Sequence, residues 1–114
     1  MNRGEVWLIN LNPTIGAEIQ KTRPAVIVND DALGILPLRM IVPLTDWKEH
    51  FVKAVWQVKV ENDNVNNLTK TSSADCFQVR SVAKERFVRK LGTLSAEKMF
   101  KIEDALAKVL RINS

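Results

Sequence analysis

The chain has 114 residues, of which 46% are hydrophobic and 26% are charged. This composition argues against disorder and predicts a single domain spanning residues 1–114. No apolar run approaches the roughly 20 residues of a membrane span, and the N-terminus has no apolar signal-peptide region. The only cysteine, Cys76, cannot form an internal disulfide, which is typical of the cytoplasm. One Cys and one His cannot build a zinc site, so we expect chemistry that is metal-free or uses a metal held only by carboxylates.

The formal net charge is +4, a mild excess that permits an anionic partner without demanding one. Lysines and arginines gather in residues 20–23 and again in residues 79–90. Solvated surface is the simpler interpretation of the second cluster. The first cluster lies in a loop beside Thr22 and Pro24, where a binding role and a solvated role are equally open.

Short apolar runs rich in β-branched residues predict strands along most of the chain. They occur at residues 4–10, 24–29, 39–44, 52–60 and 73–80. The run at 52–60 alternates most clearly and predicts a half-buried antiparallel strand whose inward residues are Val52, Ala54, Trp56, Val58 and Val60. Short strands separated by polar turns favour a sandwich or a small barrel. A helical turn is also possible at residues 83–87.

The end of the chain changes to helical spacing. Ser95 is a plausible N-cap, and Glu97 complements the helix dipole in the first turn. One apolar stripe follows, formed by Met99, Ile102, Leu106, Val109 and Leu110. Glu97 with Lys101 and Asp104 with Lys108 are favourable i,i+4 pairs. We therefore predict a C-terminal helix that packs on the barrel, with partner binding as its alternative use.

Five blocks of the sequence resemble the MazF/PemK (Kid) family of bacterial toxin endoribonucleases. The blocks are Gly-Glu-Val-Trp at 4–7, Asn-Pro-Thr-Ile-Gly-Ala-Glu at 12–18, Arg-Pro-Ala-Val-Ile-Val at 23–28, Val-Pro-Leu-Thr at 42–45 and Gln-Val-Arg-Ser at 78–81. A lone Arg-Pro pair has no diagnostic value, but these blocks occur in the family's order along essentially the whole chain.

The resemblance implies a homodimeric, SH3-like barrel with a C-terminal helix. It also implies sequence-selective, metal-free cleavage of single-stranded RNA without a cofactor, and neutralisation by a cognate antitoxin. In that reaction the ribose 2′-OH attacks the adjacent phosphorus and leaves a cyclic phosphate and a 5′-OH end. The basic loop further suggests that the antitoxin binds through an acidic, partly disordered C-terminal segment.

The family's catalytic arginine and threonine match Arg23 and Thr45. Pro24 restricts the backbone of Arg23 to extended conformations, so a cation is held at one place for the charge that develops on the phosphate. An ion pair with Glu18 or Asp30 is the structural alternative for Arg23, and an ordinary strand-end hydroxyl is that for Thr45. Glu18 occupies the position of a functional glutamate, where it could accept the 2′-OH proton or orient Arg23.

Other polar and aromatic side chains are predicted to bind RNA. The set comprises Gln20, Lys21, Thr22, Trp47, Ser72, Gln78 and Arg80. Lys21 is expected to contact phosphate. Ser72 and Gln78 are equally explained by structural roles, and Arg80 by a salt bridge that supports the loop. Trp47, with Phe51, could stack on unpaired bases or pack back on the barrel.

The chain also departs from the family pattern. Phe77 stands where the Kid branch has an acid–base Asp, and Asp75 lies two residues away. Ala17 stands where some relatives carry a His, so the general base is left open; His50 is a further candidate that is more simply solvated. Two alternative functions also remain, a CcdB-like toxin that binds DNA gyrase without catalysis and a catalytically dead regulator. The intact Arg23 and Thr45 favour the nuclease.

Overall fold

The computed structural model describes residues 1–112, which form mostly antiparallel strands followed by one helix. The strands are β1 Glu5–Asn10, β2 Thr22–Ile27, β3 Leu38–Asp46, β4 Gln57–Val60, β5 Ser72–Asp75, β6 Arg80–Ala83 and β7 Phe87–Thr93, and the helix is α1 Ala96–Leu110. Short 3₁₀ turns lie at Asp31–Leu33, Glu49–Lys53, Cys76–Gln78 and Lys84–Arg86. Within the described residues, no helix has the length and apolarity that a membrane crossing requires.

Strand β3 connects the two parts of the sheet. Its first half pairs with β6, and its second half pairs with β5, which in turn pairs with β4. On its other side β3 pairs with β2, and the sheet continues through β1 to β7. This arrangement confirms the predicted mainly-β, barrel-type fold with a C-terminal helix.

The helix α1 covers the main hydrophobic core. Ser95 is its N-cap, as predicted, and its hydroxyl accepts a hydrogen bond of 3.2 Å from the backbone N–H of Lys98. Ile102 is fully buried in this core, which also contains the strand residues Val26 and Val42. The prediction for the last residue of the stripe is wrong, because Leu110 is 57% exposed.

Both predicted ion pairs of the helix are present. The distance from Lys101 Nζ to the Glu97 carboxylate is 3.5 Å, and that from Lys108 Nζ to the Asp104 carboxylate is 3.0 Å. Because all four side chains are largely exposed, these pairs contribute little to stability.

A second, smaller core lies on the opposite side of the β1–β2–β3 sheet. Ile9, Ile27 and Ile41 are fully buried there. Ile19, from the loop between β1 and β2, packs against this cluster. The loop that carries the predicted binding residues is therefore anchored to the sheet at its middle.

Two strand predictions need correction. The strand at 52–60 begins only at Gln57, because residues 49–53 form a 3₁₀ turn. Val52 is 74% exposed and Trp56 is 41% exposed, so the inward set contains only Val58 and Val60 from β4.

The predicted strand at 73–80 is also interrupted. The side chain of Asp75 accepts a hydrogen bond from the backbone N–H of Phe77 and caps a 3₁₀ turn at Cys76–Gln78. This turn separates β5 from β6 and lets them pair with different halves of β3. The predicted helical turn near residues 83–87 is confirmed as the 3₁₀ turn at Lys84–Arg86.

Candidate active site and RNA interface

Arg23 lies on β2 directly before the buried part of that strand. Pro24 follows it, and Ala25 and Val26 after that are fully buried. The Nε–H of Arg23 donates a hydrogen bond of 3.2 Å to the backbone carbonyl of Gln20. Among the ion pairs of residues 1–112, none involves Arg23. The guanidinium is thus oriented by the loop backbone and not by the proposed ion pair with Glu18 or Asp30.

Arg23 and Thr45 meet at one small pocket of about 90 Å³. Ser72 and the Asp46–Lys70 ion pair, with a distance of 2.8 Å, also line it. The hydrogen bond from Lys70 lowers the pKa of Asp46, and the positive charges of Lys70, Lys48 and Arg23 lower it further. The structure therefore brings both predicted catalytic residues to one place whose surroundings are rich in cations.

Glu18 lies at a different cavity, of about 500 Å³, which Pro43 and Arg80 also line. Its Oε1 accepts a hydrogen bond of 2.6 Å from the backbone N–H of Ile15 and so closes the turn 15–18. The φ angle of Gly16 within this turn is +60°, a conformation that favours glycine. Glu18 consequently holds the shape of the loop, and it is not a direct partner of Arg23.

Gln78 and Arg80 fasten the same loop to the sheet. The side-chain oxygen of Gln78 accepts a hydrogen bond of 2.6 Å from the N–H of Ile19, and its amide nitrogen donates one of 3.2 Å to the carbonyl of Ala17. Arg80 donates a hydrogen bond of 3.3 Å to the carbonyl of Leu11. These contacts show a structural role for both residues, and for Arg80 the contact is a carbonyl hydrogen bond and not the salt bridge that was its structural alternative. RNA binding by Gln78 and Arg80 stays a prediction.

The remaining loop residues present their side chains to solvent. Gln20, Lys21 and Thr22 are all exposed. The backbone of Lys21 has a φ of 70°, and its N–H donates a hydrogen bond of 3.1 Å to the side chain of Asn12. Ser72 differs from them, because it is buried and its hydroxyl donates to the carbonyl of Lys70 at 3.0 Å. The loop therefore offers a fixed backbone with free polar side chains.

Trp47 packs within its own segment of the chain. Its ring lies edge-to-face against Phe51 with a centroid distance of 5.8 Å. Lys59 Nζ lies 5.3 Å from the centroid of the Trp47 ring, within the range of a cation–π interaction. The segment borders a cavity of about 420 Å³ against α1, where Phe100 is 72% exposed. Of the two uses predicted for these aromatics, packing is the one for which contacts exist.

Comparison with known proteins identifies the family. The sequence profile of the PemK-like, MazF-like toxins of type II toxin–antitoxin systems matches residues 2–110. The chain belongs to this toxin family. It is similar to the endoribonuclease MazF9 of Mycobacterium tuberculosis, with 30% identity over 112 residues that cover 93% of this chain and 92% of the relative.

Solved structures agree with the fold of this MazF-type toxin. MazF from Deinococcus radiodurans superimposes with a TM-score of 0.81 at 18% identity, covering 98% of this chain and 97% of that one. An endoribonuclease from a mycobacterial species, solved in complex with its cognate antitoxin, gives a TM-score of 0.77 at 21% identity and covers 100% and 98% of the two chains.

Sequence reasoning missed one cavity of this MazF-type toxin. Trp56, Asp75, Phe77 and Gln78 line a space of about 300 Å³. The cavity escaped notice because the alternation at 52–60 assigned Trp56 to the core. The signal available in the sequence was the aromatic residue Phe77 close to the carboxylate of Asp75. Burial of that carboxyl group raises its pKa.

Within residues 1–112, no three His, Cys, Asp or Glu side chains lie together as a metal-binding group. The metal-free reaction stays a prediction.

Proposed function

We propose that this MazF-type endoribonuclease toxin cleaves single-stranded RNA by attack of a ribose 2′-OH on the adjacent phosphorus, without a metal ion. The convergence of Arg23 and Thr45 on one pocket is the observation that carries the proposal. A guanidinium and a hydroxyl are both donors, and a phosphate offers the acceptor oxygens that they require.

The reaction forms the bond from the 2′-oxygen to phosphorus and breaks the bond from phosphorus to the 5′-oxygen. The proton of the 2′-OH goes to a base, and the leaving 5′-oxygen gains a proton, so the products are a 2′,3′-cyclic phosphate and a 5′-OH. Negative charge increases on the non-bridging oxygens in the transition state. Donors that are already oriented, as Arg23 is by the carbonyl of Gln20, stabilise that state more than the ground state.

We assign Glu18 a positioning role in this reaction. It closes the turn 15–18 through the N–H of Ile15, and the following residues carry the Gln20 carbonyl that orients Arg23. Replacing Glu18 with Gln keeps an oxygen acceptor for that turn. If Glu18 only positions, Glu18→Gln retains most of the cleavage rate and leaves the pH profile unchanged, whereas loss of a general base changes both.

The exposed side chains of Gln20, Lys21 and Thr22 are proposed to border the RNA path, with Lys21 contacting phosphate. A mycobacterial endoribonuclease of the same fold is known in complex with its cognate antitoxin. We propose that a cognate antitoxin neutralises this toxin, its acidic C-terminal segment covering the same basic loop.

We also propose that the toxin is a C2 homodimer, since two facing loops give a longer basic groove, and that it acts in the cytoplasm.

The deciding experiment uses a long defined RNA in the presence of EDTA. Cleavage sites are mapped from their 5′-OH ends, and a short RNA around one site is then made with a single 2′-deoxy substitution at the scissile nucleotide. We expect the all-ribose RNA to be cut and the substituted RNA to stay intact while binding is largely retained. Cleavage of the 2′-deoxy RNA would refute 2′-OH attack, and loss of cleavage in EDTA would refute the metal-free reaction.

The same preparation tests the gyrase-binding alternative. Unchanged supercoiling activity of DNA gyrase in the presence of the toxin is expected. Intact RNA together with inhibited gyrase would refute the nuclease and support the non-catalytic, gyrase-binding toxin.

A further inference from the structure

The cavity formed by Trp56, Asp75, Phe77 and Gln78 takes no part in the reaction described above. Its volume of about 300 Å³ lies at the lower end of the range for small-ligand pockets, roughly 300–1,000 Å³. Two aromatic side chains stand at it with large exposed fractions, 41% for Trp56 and 69% for Phe77. Exposed aromatic side chains that line a cavity together with a polar residue are suited to a flat ligand that stacks.

Asp75 supplies the polar group of this cavity. The residue is only 9% exposed, and its Oδ1 accepts a hydrogen bond of 3.2 Å from the N–H of Phe77. Burial raises the pKa of Asp75, although hydrogen bonds from Phe77, Gln57 and Gln78 oppose the rise. An ionised carboxylate has about four acceptor positions, so the hydrogen bond from Phe77 leaves acceptor positions for a ligand.

Gln78 also lines the cavity, but its side chain is held by the loop. Both ends of its side-chain amide are already hydrogen-bonded to the backbone of Ile19 and Ala17. One N–H and one lone pair of the amide are left, so Asp75 supplies the main but not the sole polar contact of the cavity.

The register of the sheet relates this cavity to the proposed catalytic threonine. Thr45 on β3 pairs directly with Ser73 on β5, so their side chains share one face of the sheet. Asp75 is two residues beyond Ser73 and returns to that face, at a distance of about 7 Å along the strand. A nucleotide next to the one bound at Thr45 can therefore reach Asp75 with its base.

We propose that Trp56, Asp75 and Phe77 form a nucleobase site that selects an unpaired base with an exocyclic amino group. The aromatic rings stack on the base, and the carboxylate accepts a hydrogen bond from the amino group. Adenine, cytosine and guanine carry such a group. Uracil places carbonyl oxygens on both sides of its one N–H, so it brings acceptors against the carboxylate and is rejected. This inference rests on the proposed cleavage of RNA and adds the feature of the substrate that is read.

The first test maps cleavage of a randomised RNA by sequencing the 5′-OH ends. For the unmodified protein we expect uracil to be depleted at one position beside the cut. Asp75→Asn replaces an acceptor with a donor at nearly the same size, so the depletion of uracil at that position is expected to disappear or reverse, with preferences at other positions kept. An unchanged profile would overturn the proposal.

Two further variants keep the test decisive if Asp75→Asn disturbs the turn that it caps. Phe77→Leu and Trp56→Leu change exposed side chains, and each is expected to weaken RNA binding by at least about fivefold, because one stacked base of any kind contributes about 1–3 kcal/mol. Phe100→Leu is the matched control, since Phe100 is 72% exposed on α1 and belongs to another cavity. Equal RNA affinities for all three variants would refute the stacking role.

A binding experiment separates failure of this site from failure of the nuclease. Fluorescein-labelled oligo(C) and oligo(U) are titrated by anisotropy into each protein. We expect tighter binding of oligo(C), with the difference lost in Asp75→Asn whether or not the RNA is cut. Equal affinity of the unmodified protein for the two oligomers would overturn the base site, whereas absent cleavage with a retained difference would refute only the proposed reaction. Variants that weaken antitoxin binding and leave RNA selectivity unchanged would assign the cavity to a peptide instead.

Discussion

Replacing Arg23 with Ala separates the catalytic role of this residue from its structural one. The side chain is half-buried, and the contact in which it donates is one hydrogen bond of 3.2 Å to the carbonyl of Gln20. Such a hydrogen bond contributes about 0.5–1.5 kcal/mol to the free energy of unfolding. For a domain of this size, the melting temperature is then expected to fall by about 2–10 °C.

The expected loss of activity is much larger. Removing one preorganised donor from a developing oxyanion typically costs about 100- to 1,000-fold in rate, or roughly 2.7–4 kcal/mol. Arg23→Lys keeps the charge but loses the planar fork of donors, so we expect an intermediate rate. The pair of substitutions distinguishes charge from geometry.

The assay follows cleavage of a fluorescently quenched RNA under single-turnover conditions, beside thermal unfolding of the same samples. Lys108→Ala is the charge-matched control, because Lys108 pairs with Asp104 on the exposed side of α1. It is expected to cut at close to the rate of the unmodified protein. A folded Arg23→Ala protein that cleaves at that same rate would refute the assignment of Arg23.

Four further predictions follow from named contacts. Thr45→Val should slow cleavage less than Arg23→Ala while the fold is kept, as measured by the same assay. Gly92→Ala should lower the free energy of unfolding by at least about 1–3 kcal/mol in urea, because its Cβ would lie 2.0 Å from a backbone carbonyl oxygen. Cys76 is fully buried and its pKa is raised to about 12, so a thiol reagent at pH 8 should modify it only after unfolding. The pKa of Asp46 is lowered, chiefly by the hydrogen bond from Lys70, so Asp46 binds a proton more readily in the unfolded chain than in the folded one. The free energy of unfolding should therefore fall as pH drops below the ordinary pKa value of 3.8. Asp46→Asn should reduce that pH dependence in acid titrations.

The sequence predicted the elements whose signals are local. Ser95 caps the helix as its side-chain chemistry indicates, and Pro24 fixes the position at which β2 enters the core. The alternation at 52–60 misled because hydrophobic type alone does not report burial: Val52 lies exposed in a 3₁₀ turn. A short polar cap at Asp75 similarly interrupts what reads as one strand.

At the candidate site, too, the sequence predicted local features better than long-range contacts. Arg23 and Thr45 line one pocket because β2 pairs with β3. The resemblance to the family implied that these two strands are neighbours, whereas composition alone could not predict it. The roles of Gln78 and Arg80 were open, because only the folded chain brings them to carbonyl groups roughly 60–70 residues earlier in the sequence. Long-range hydrogen bonds of this kind have no local signature.

The two halves of β3 connect the catalytic and selective parts of the site. The first half pairs with β6. Arg80, the first residue of β6, fastens the loop between β1 and β2, and the carbonyl of Gln20 in this loop accepts the hydrogen bond from Arg23. The other half pairs with β5 and puts Thr45 opposite Ser73, on the face that also holds Asp75. A one-residue slip between β3 and β5 would turn Ser73 and Asp75 to the opposite face relative to Thr45. Leu44 opposite Ala74 opposes that slip, because both are buried in the main core. The packing of the core thus fixes the spacing between the group proposed to act on the phosphate and the group proposed to read the base.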